Sequence, residues 1–388
     1  MNIFVLLIYM MNVFNLELTI HFACPGHTGD PVYLIGSLNN WQQEGILLGH
    51  IPEGQNELIV RLKNVPEGLL EFQLSRGDWS AISCRSNGSI ADPFTVFIEE
   101  DTSLKLTVFA WSDDFPLSTV TEQVHWLSEA FFFPGLNAYR KVWIYLPPSY
   151  PYSKIKRYPV LYMHDGQHLF DEAAAIGRKS PVEWRVDKVI NRSANEAIVV
   201  AIAHGGEERD RLHDYVVLPV AGMPEPAGER YLADIIHVLK PYVDAHYRSM
   251  SDRKYTAMAG SSLGGLLSLY TGLIHPASFA CLGIFSPSLW LDNMQVHNFI
   301  DTLSAAERVQ QKQQSYYLYG GSLENRKIKD RAPIAMDKAI EHIGEVLSGS
   351  LQANVTMEIN PAGKHGALYW QQAFPHFYEW WQEQMVLR

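Results

Sequence analysis

Over residues 16–114, apolar and polar positions alternate in short runs. The segments 16–22, 31–36, 57–62, 69–74 and 104–111 each carry the period of two expected of a half-buried strand. Turn signals at Pro52-Glu53-Gly54, Pro66-Glu67-Gly68 and Asn87-Gly88 separate several of them. Such spacing predicts a small all-β sandwich. From Arg140 the pattern changes. Near-continuous apolar runs at 142–146, 159–163, 197–203, 255–259, 279–285, 315–319 and 355–359 read as buried strands, and residues 127–133 as a strand leading into them. Helical periodicity marks 230–241, then a second piece ending near Tyr247, and 266–274, 332–347 and 370–385. Strands of this kind alternating with helices predict an α/β unit, its mostly parallel sheet flanked by helices on both faces. No internal repeat or low-complexity run interrupts the pattern.

Composition narrows the class. The chain has 388 residues, 47% hydrophobic and 19% charged, enough apolar material for a large core and too much for disorder. A formal net charge of −11 without a basic run argues against nucleic acid as the partner. Cys24, Cys84 and Cys281 suit neither a zinc site nor a disulfide framework, although a Cys24–Cys84 bridge is conceivable in an exported protein. Residues 1–15 are apolar but lack the basic start and small-residue cleavage site of an export signal, and Glu17 comes too soon for a membrane span. The expectation is an unstructured leader on a cytoplasmic protein, with a periplasmic or secreted location as the alternative.

The chemistry centres on Gly260-Ser261-Ser262-Leu263-Gly264, a G-x-S-x-G match between the strand at 255–259 and the helix at 266–274. A nucleophile elbow exposes its serine on such a strained strand-to-helix turn, and the helix N-terminus favours developing negative charge. A nucleophilic serine needs a base and a carboxylate to orient that base. In α/β-hydrolases these follow in the order serine, acid, histidine. Glu324 lies in a glycine-rich loop just past the run at 315–319, and His365 just past the run at 355–359. The expected triad is therefore Ser262, Glu324 and His365, with Asp292, Asp330 and Asp337 as rival acids.

Two resemblances sharpen this reading. Gly36-Ser37-Leu38-Asn39-Asn40-Trp41, with Phe72 to Asp78-Trp79, resembles the starch- and glycogen-binding modules of the early-set immunoglobulin-like group. The resemblance implies sugar stacking on Trp41 and Trp79, although Gln73 stands where such modules often carry lysine. A packing role without sugar is the alternative. Residues 140–388 resemble the α/β-hydrolase family of feruloyl and acetylxylan esterases, S-formylglutathione hydrolases, mycolyltransferases and enterochelin esterases. The matching pieces are the stretch from Tyr158 through His164-Asp165-Gly166-Gln167 to Asp171, Lys240 to Arg248, Ala259 to Leu266, Ser286-Pro287-Ser288-Leu289-Trp290, and Gly363-Lys364-His365-Gly366 with Trp370.

That resemblance implies an oxyanion hole from the backbone N–H groups of Leu263 and Gln167. It also implies a pocket near Arg211-Leu-His-Asp214-Tyr215, with Trp184, Arg211 and Trp290 as pocket candidates or, equally, packing residues. The expected layout is a leader over 1–15, a carbohydrate-binding-like sandwich over 16–114 and a hydrolase over 115–388. The expected activity is serine carboxylic-ester hydrolysis of acyl or feruloyl esters of carbohydrate, or of small aromatic esters. Hydrolysis of a siderophore trilactone, and sugar binding beside a relict hydrolase, are the alternatives. No metal, organic cofactor, nucleic acid or membrane partner is expected.

Overall fold

The computed structural model describes residues 12–387 apart from 25, 87, 89–90, 116–117, 176–181, 207, 221, 223–224, 292–294 and 327–333. The described residues form two compact units, one of 12–118 with 172–175 and the other of 119–171 with 182–387.

The first unit is built mainly from two sheets, of three and four strands, beside a short antiparallel pair, Ser83–Cys84 with Ala110–Trp111. Val13–Phe22 sits between Glu57–Pro66, antiparallel, and Thr102–Val108, parallel. The second sheet runs in the order Ile46–His50, Pro31–Gly36, Gly68–Ser75, Phe94–Ile98. Inward residues of both sheets, among them Leu18, Ile20, Leu34, Phe72 and Val108, share one cluster, as period-two strands require. The strands Ile46–His50 and Phe94–Ile98 are additional to those the sequence pattern marks; each is five residues long, too short for alternation to stand out. The first strand also begins earlier than its clean alternation, because a bulge between Phe14 and Leu16 shifts its register. Cys24, Cys84 and Cys281 are free thiols.

The second unit carries an eight-stranded sheet. Its order is Val124–Phe133, Ala138–Tyr145, Ile198–Ile202, Val160–His164, Thr256–Ser261, Cys281–Phe285, Ser315–Gly321 and Asn354–Asn360. The first two pairings are antiparallel and every later one is parallel. The central strands are buried at every position because each face is covered. Val160 and Tyr162 join one hydrophobic cluster, while Leu161 and Met163 join another on the opposite face. Pro241 was expected to divide a helix. Instead Gly228–Asp234 runs through a π turn, Ile235–Leu239, into Lys240–His246. Proline lacks an N–H and clashes with the turn before it, and the wider π turn there relaxes that conflict.

Parallel strands place all their carboxyl ends on one edge of the sheet, where open α/β folds build sites. Ser262, Glu324 and His365 each lie within five residues of such an end.

Candidate active site

Ser262 stands between the strand Thr256–Ser261 and the helix Leu263–Ile274, with φ 57° and ψ −116°. That conformation strains a residue with a β-carbon. It is held because the arms of the turn touch. A β-carbon on Gly260 would meet the carbonyl of Gly264 at 2.7 Å, so neither arm has room for a side chain there. The Ser262 N–H donates to the Phe285 carbonyl at 2.9 Å, fixing the elbow to the neighbouring strand.

The base and acid arrive from two further loops. The Ser262 hydroxyl donates to Nε2 of His365 over 3.1 Å, and Nδ1–H of His365 donates to Oε2 of Glu324 over 2.9 Å. Glu324 is 4% exposed, whereas the His365 side chain remains 41% exposed and open to a substrate. The acid and histidine loops are tied together: Ser322 N–H donates to Asn360 O at 3.0 Å and Leu323 N–H to Gly363 O at 3.0 Å. Their backbones can approach this closely because Gly321 faces Gly363, where a β-carbon on Gly321 would lie 2.3 Å from the partner backbone. Of the rival acids, Asp337 lies in the first turn of the helix Met336–Gly349 and accepts from the Lys338 N–H. Asp292 and Asp330 lie outside the described residues.

Leu263 is the first residue of its helix, so its N–H has no acceptor within the helix. Gln167 lies in a 3-10 turn, Gly166–His168, directly after the strand Val160–His164. Asp165 opens that turn at φ 58°. Its carboxylate accepts from Nε and Nη2 of Arg211 at 2.8 and 2.6 Å, and its N–H donates to the Tyr215 hydroxyl at 3.1 Å. Burial works to raise the Asp165 pKa, but the Arg211 guanidinium prevails and holds it well below the usual range. His164, beneath the elbow, is pushed down to about 4 by burial and stays neutral.

The pocket candidates separate. Arg211 is engaged with Asp165 and sits over the Tyr215 ring at 5.2 Å, so it braces the Gln167 loop. Asp214 of the same stretch pairs with Arg140 at 2.6 Å. Trp184 belongs to the core, 2% exposed against Phe285, Trp370 and Phe374, because aromatic side chains close over it from the sheet and the last helix. Trp290 is half-buried on the edge of the other cluster. In the first unit, Trp41 and Trp79 are 37% and 41% exposed, with ring centroids 6.1 Å apart at 17°.

Two serines that the sequence reading passed over also stand here. Ser288 Oγ is 3.1 Å from Ser262 Oγ, and Ser286 donates to Glu324. Their signal was the Ser286-Pro287-Ser288 stretch itself, to which the reading gave no role beyond resemblance. Among the described residues, no group of three or more His, Cys, Asp or Glu is arranged to hold a metal ion. No described helix is long and apolar enough to cross a membrane.

The model of the family described as Putative esterase matches residues 134–386, more than half of the chain. A relative from Bacillus subtilis (strain 168), the uncharacterized protein YbbA, is 25% identical over 250 residues, spanning 62% of this chain and 92% of its own. The siderophore triacetylfusarinine C esterase of Aspergillus fumigatus is 30% identical over 144 residues, which cover 35% of this chain and 46% of that one. Among solved structures, a ferulic acid esterase superposes with a TM-score of 0.52 at 19% identity, covering 68% of this chain and 99% of its own. The eight-stranded unit thus has the α/β-hydrolase fold, and the chain belongs to the Putative esterase family as a carboxylic ester hydrolase.

Proposed function

We propose that the chain hydrolyses esters through an acyl-enzyme formed on Ser262. One observation carries the reading: a continuous hydrogen-bonded line from the strained Ser262 through His365 to the buried Glu324. His365 Nε2 takes the Ser262 proton as Oγ attacks the ester carbonyl. Glu324 holds the imidazole in the tautomer with its proton on Nδ1 and stabilises the imidazolium. The backbone N–H groups of Leu263 and Gln167 receive the oxyanion; a lost donor of this kind typically costs about 3–4 kcal/mol. His365 then protonates the leaving alcohol, deprotonates the water that attacks the acyl group, and returns the proton to Ser262.

The favoured substrates are acyl or feruloyl esters of carbohydrate, or small aromatic esters. The exposed Trp41–Trp79 pair supports this, because flat aromatic faces suit the apolar faces of sugars. A siderophore ester is the second reading, supported by the 30% identity to the triacetylfusarinine C esterase.

Purified protein should hydrolyse p-nitrophenyl acetate, and Ser262→Ala should abolish this without unfolding; full activity in the variant would refute the mechanism. A panel of acetylated xylan, methyl ferulate and a ferric catecholate trilactone ranks the substrate classes. Xylan or starch should retain the protein and release it after Trp41→Ala and Trp79→Ala; no retention of the unmutated protein ends the sugar-binding reading.

A further inference from the structure

Ser286 is the first residue after the strand Cys281–Phe285, and its φ is 44°. A side chain rarely adopts that backbone region, and where one is held there the constraint points towards function. Three elements hold Ser286. Its N–H donates to the Tyr319 carbonyl at 2.7 Å, its hydroxyl donates to Oε1 of Glu324 at 2.7 Å, and Nε1–H of Trp370 donates to that hydroxyl at 2.9 Å. The direction of the hydroxyl proton is determined. An indole nitrogen can only donate, so Ser286 Oγ accepts there and its own proton goes to the carboxylate. Ser286 is fully buried, so water cannot substitute for either partner.

Glu324 Oε1 receives this hydroxyl and the Gly321 N–H at 2.9 Å, while Oε2 faces His365. With one of those two donors gone, Oε1 would keep one donor to hold the carboxylate against rotation about its last torsion, beside the His365 bond on Oε2 that it has to aim. Trp370 also sets its ring edge-on to His365, with centroids 5.1 Å apart at 87°. The last helix, Ala367–Leu387, therefore reaches the acid by way of one hydroxyl.

We propose that Ser286 is a positioning residue of the triad, its hydroxyl transmitting the placement of Trp370 to Glu324 and thence to His365. This role rests on the Ser262 mechanism above. It adds the requirement that the acid be oriented by a strained serine at the end of a neighbouring strand.

The test compares Ser286→Gly, Ser286→Ala, Trp370→Phe and the double variant Ser286→Gly/Trp370→Phe with the unmutated protein and Ser262→Ala, using p-nitrophenyl acetate. Glycine removes the hydroxyl and relieves the positive φ, so loss of activity in Ser286→Gly with an unchanged melting temperature is not a folding defect. The expected result is a kcat lower by about ten- to hundredfold with KM within about twofold, the scale of one charge-assisted hydrogen bond. Trp370→Phe keeps a ring beside His365 but loses the donor, and its kcat should fall less. The double variant should be no slower than Ser286→Gly, because both changes act through one hydroxyl. A Ser262-dependent enzyme whose Ser286→Gly variant keeps its kcat, or whose double variant shows the product of the single losses, overturns the role of Ser286 alone. Activity that survives Ser262→Ala overturns the triad, and this role with it.

Discussion

Replacing Arg211 by alanine removes the cation that faces a buried carboxylate. Asp165 is 4% exposed, and both of its carboxylate oxygens accept from Arg211, at 2.8 and 2.6 Å. Breaking such a buried pair from one side typically costs about 3–5 kcal/mol, because the remaining charge is stranded. The Arg211 side chain keeps 15% exposure, so water reaches the vacated end, and the lower figure of about 3 kcal/mol applies. The pH dependence follows from the direction of the shift. In the native protein the Asp165 pKa is depressed, so its contribution is present above the unfolded value of about 3.9 and is lost as pH falls through the folded value. Without Arg211, burial, the largest single cause, is opposed by the smaller pull of His204 and His168, and the folded value should rise above the unfolded one. The variant then loses stability as pH rises between those two values, by about 1.4 kcal/mol per unit. Urea unfolding followed by near-ultraviolet circular dichroism should therefore show a larger deficit near pH 7 than near pH 5, roughly one to two units above the free aspartate value. Asp165→Asn combined with Arg211→Ala should lose less than the sum of the single changes. A deficit under about 1 kcal/mol, the worth of a surface pair, or one that grows on acidification, would refute the argument. Activity should fall with stability, because the same pair braces the turn that carries the Gln167 N–H.

Four further outcomes follow from the geometry. Glu324→Gln should lower kcat by about 10³- to 10⁴-fold by favouring the wrong imidazole tautomer, while Asp337→Asn should leave it unchanged; the reverse result would reassign the acid. Ser262→Gly should be inactive yet more resistant to urea by about 1 kcal/mol, since glycine relieves the positive φ; a less stable variant would argue against stored strain. Gly260→Ala should lose both stability and activity, because its β-carbon would stand 2.7 Å from the Gly264 carbonyl, and an unaffected variant would contradict the close crossing of the elbow arms. His164 is pushed down to about 4, so between that value and about 6.5 the unfolded chain takes up a proton that the folded one refuses. Stability should fall as pH drops through that window, and the fall should be shallower in His164→Gln; equal slopes would remove His164 from the account.

The order and type of the principal elements were legible in the sequence because they rest on local periodicity. Val160–His164 and Cys281–Phe285 read as buried strands since both of their faces are apolar, which is what a covered parallel sheet imposes. The elbow was legible for the same reason: Gly260 and Gly264 flank Ser262 at fixed spacing, and that spacing is what lets the turn close. The choice of Glu324 and His365 followed from chain order together with their places just past two strand runs.

What periodicity could not supply was which groups meet across the sheet edge. Arg211 read equally as a pocket or a packing residue; its partner, Asp165, stands 46 positions away, and the pairing of the central strands brings them together. Trp184 read equally as a pocket or a packing residue, and the tertiary fold makes it a packing one, because the last helix lays Trp370 and Phe374 over it. Ser286 stood in the Ser286-Pro287-Ser288 stretch, but nothing local marked its role, since a serine after a strand is commonplace. Its consequence depends on an acid 38 residues later and an indole 84 residues later, and long-range contacts of that kind are set by the tertiary fold and by no local preference of the chain.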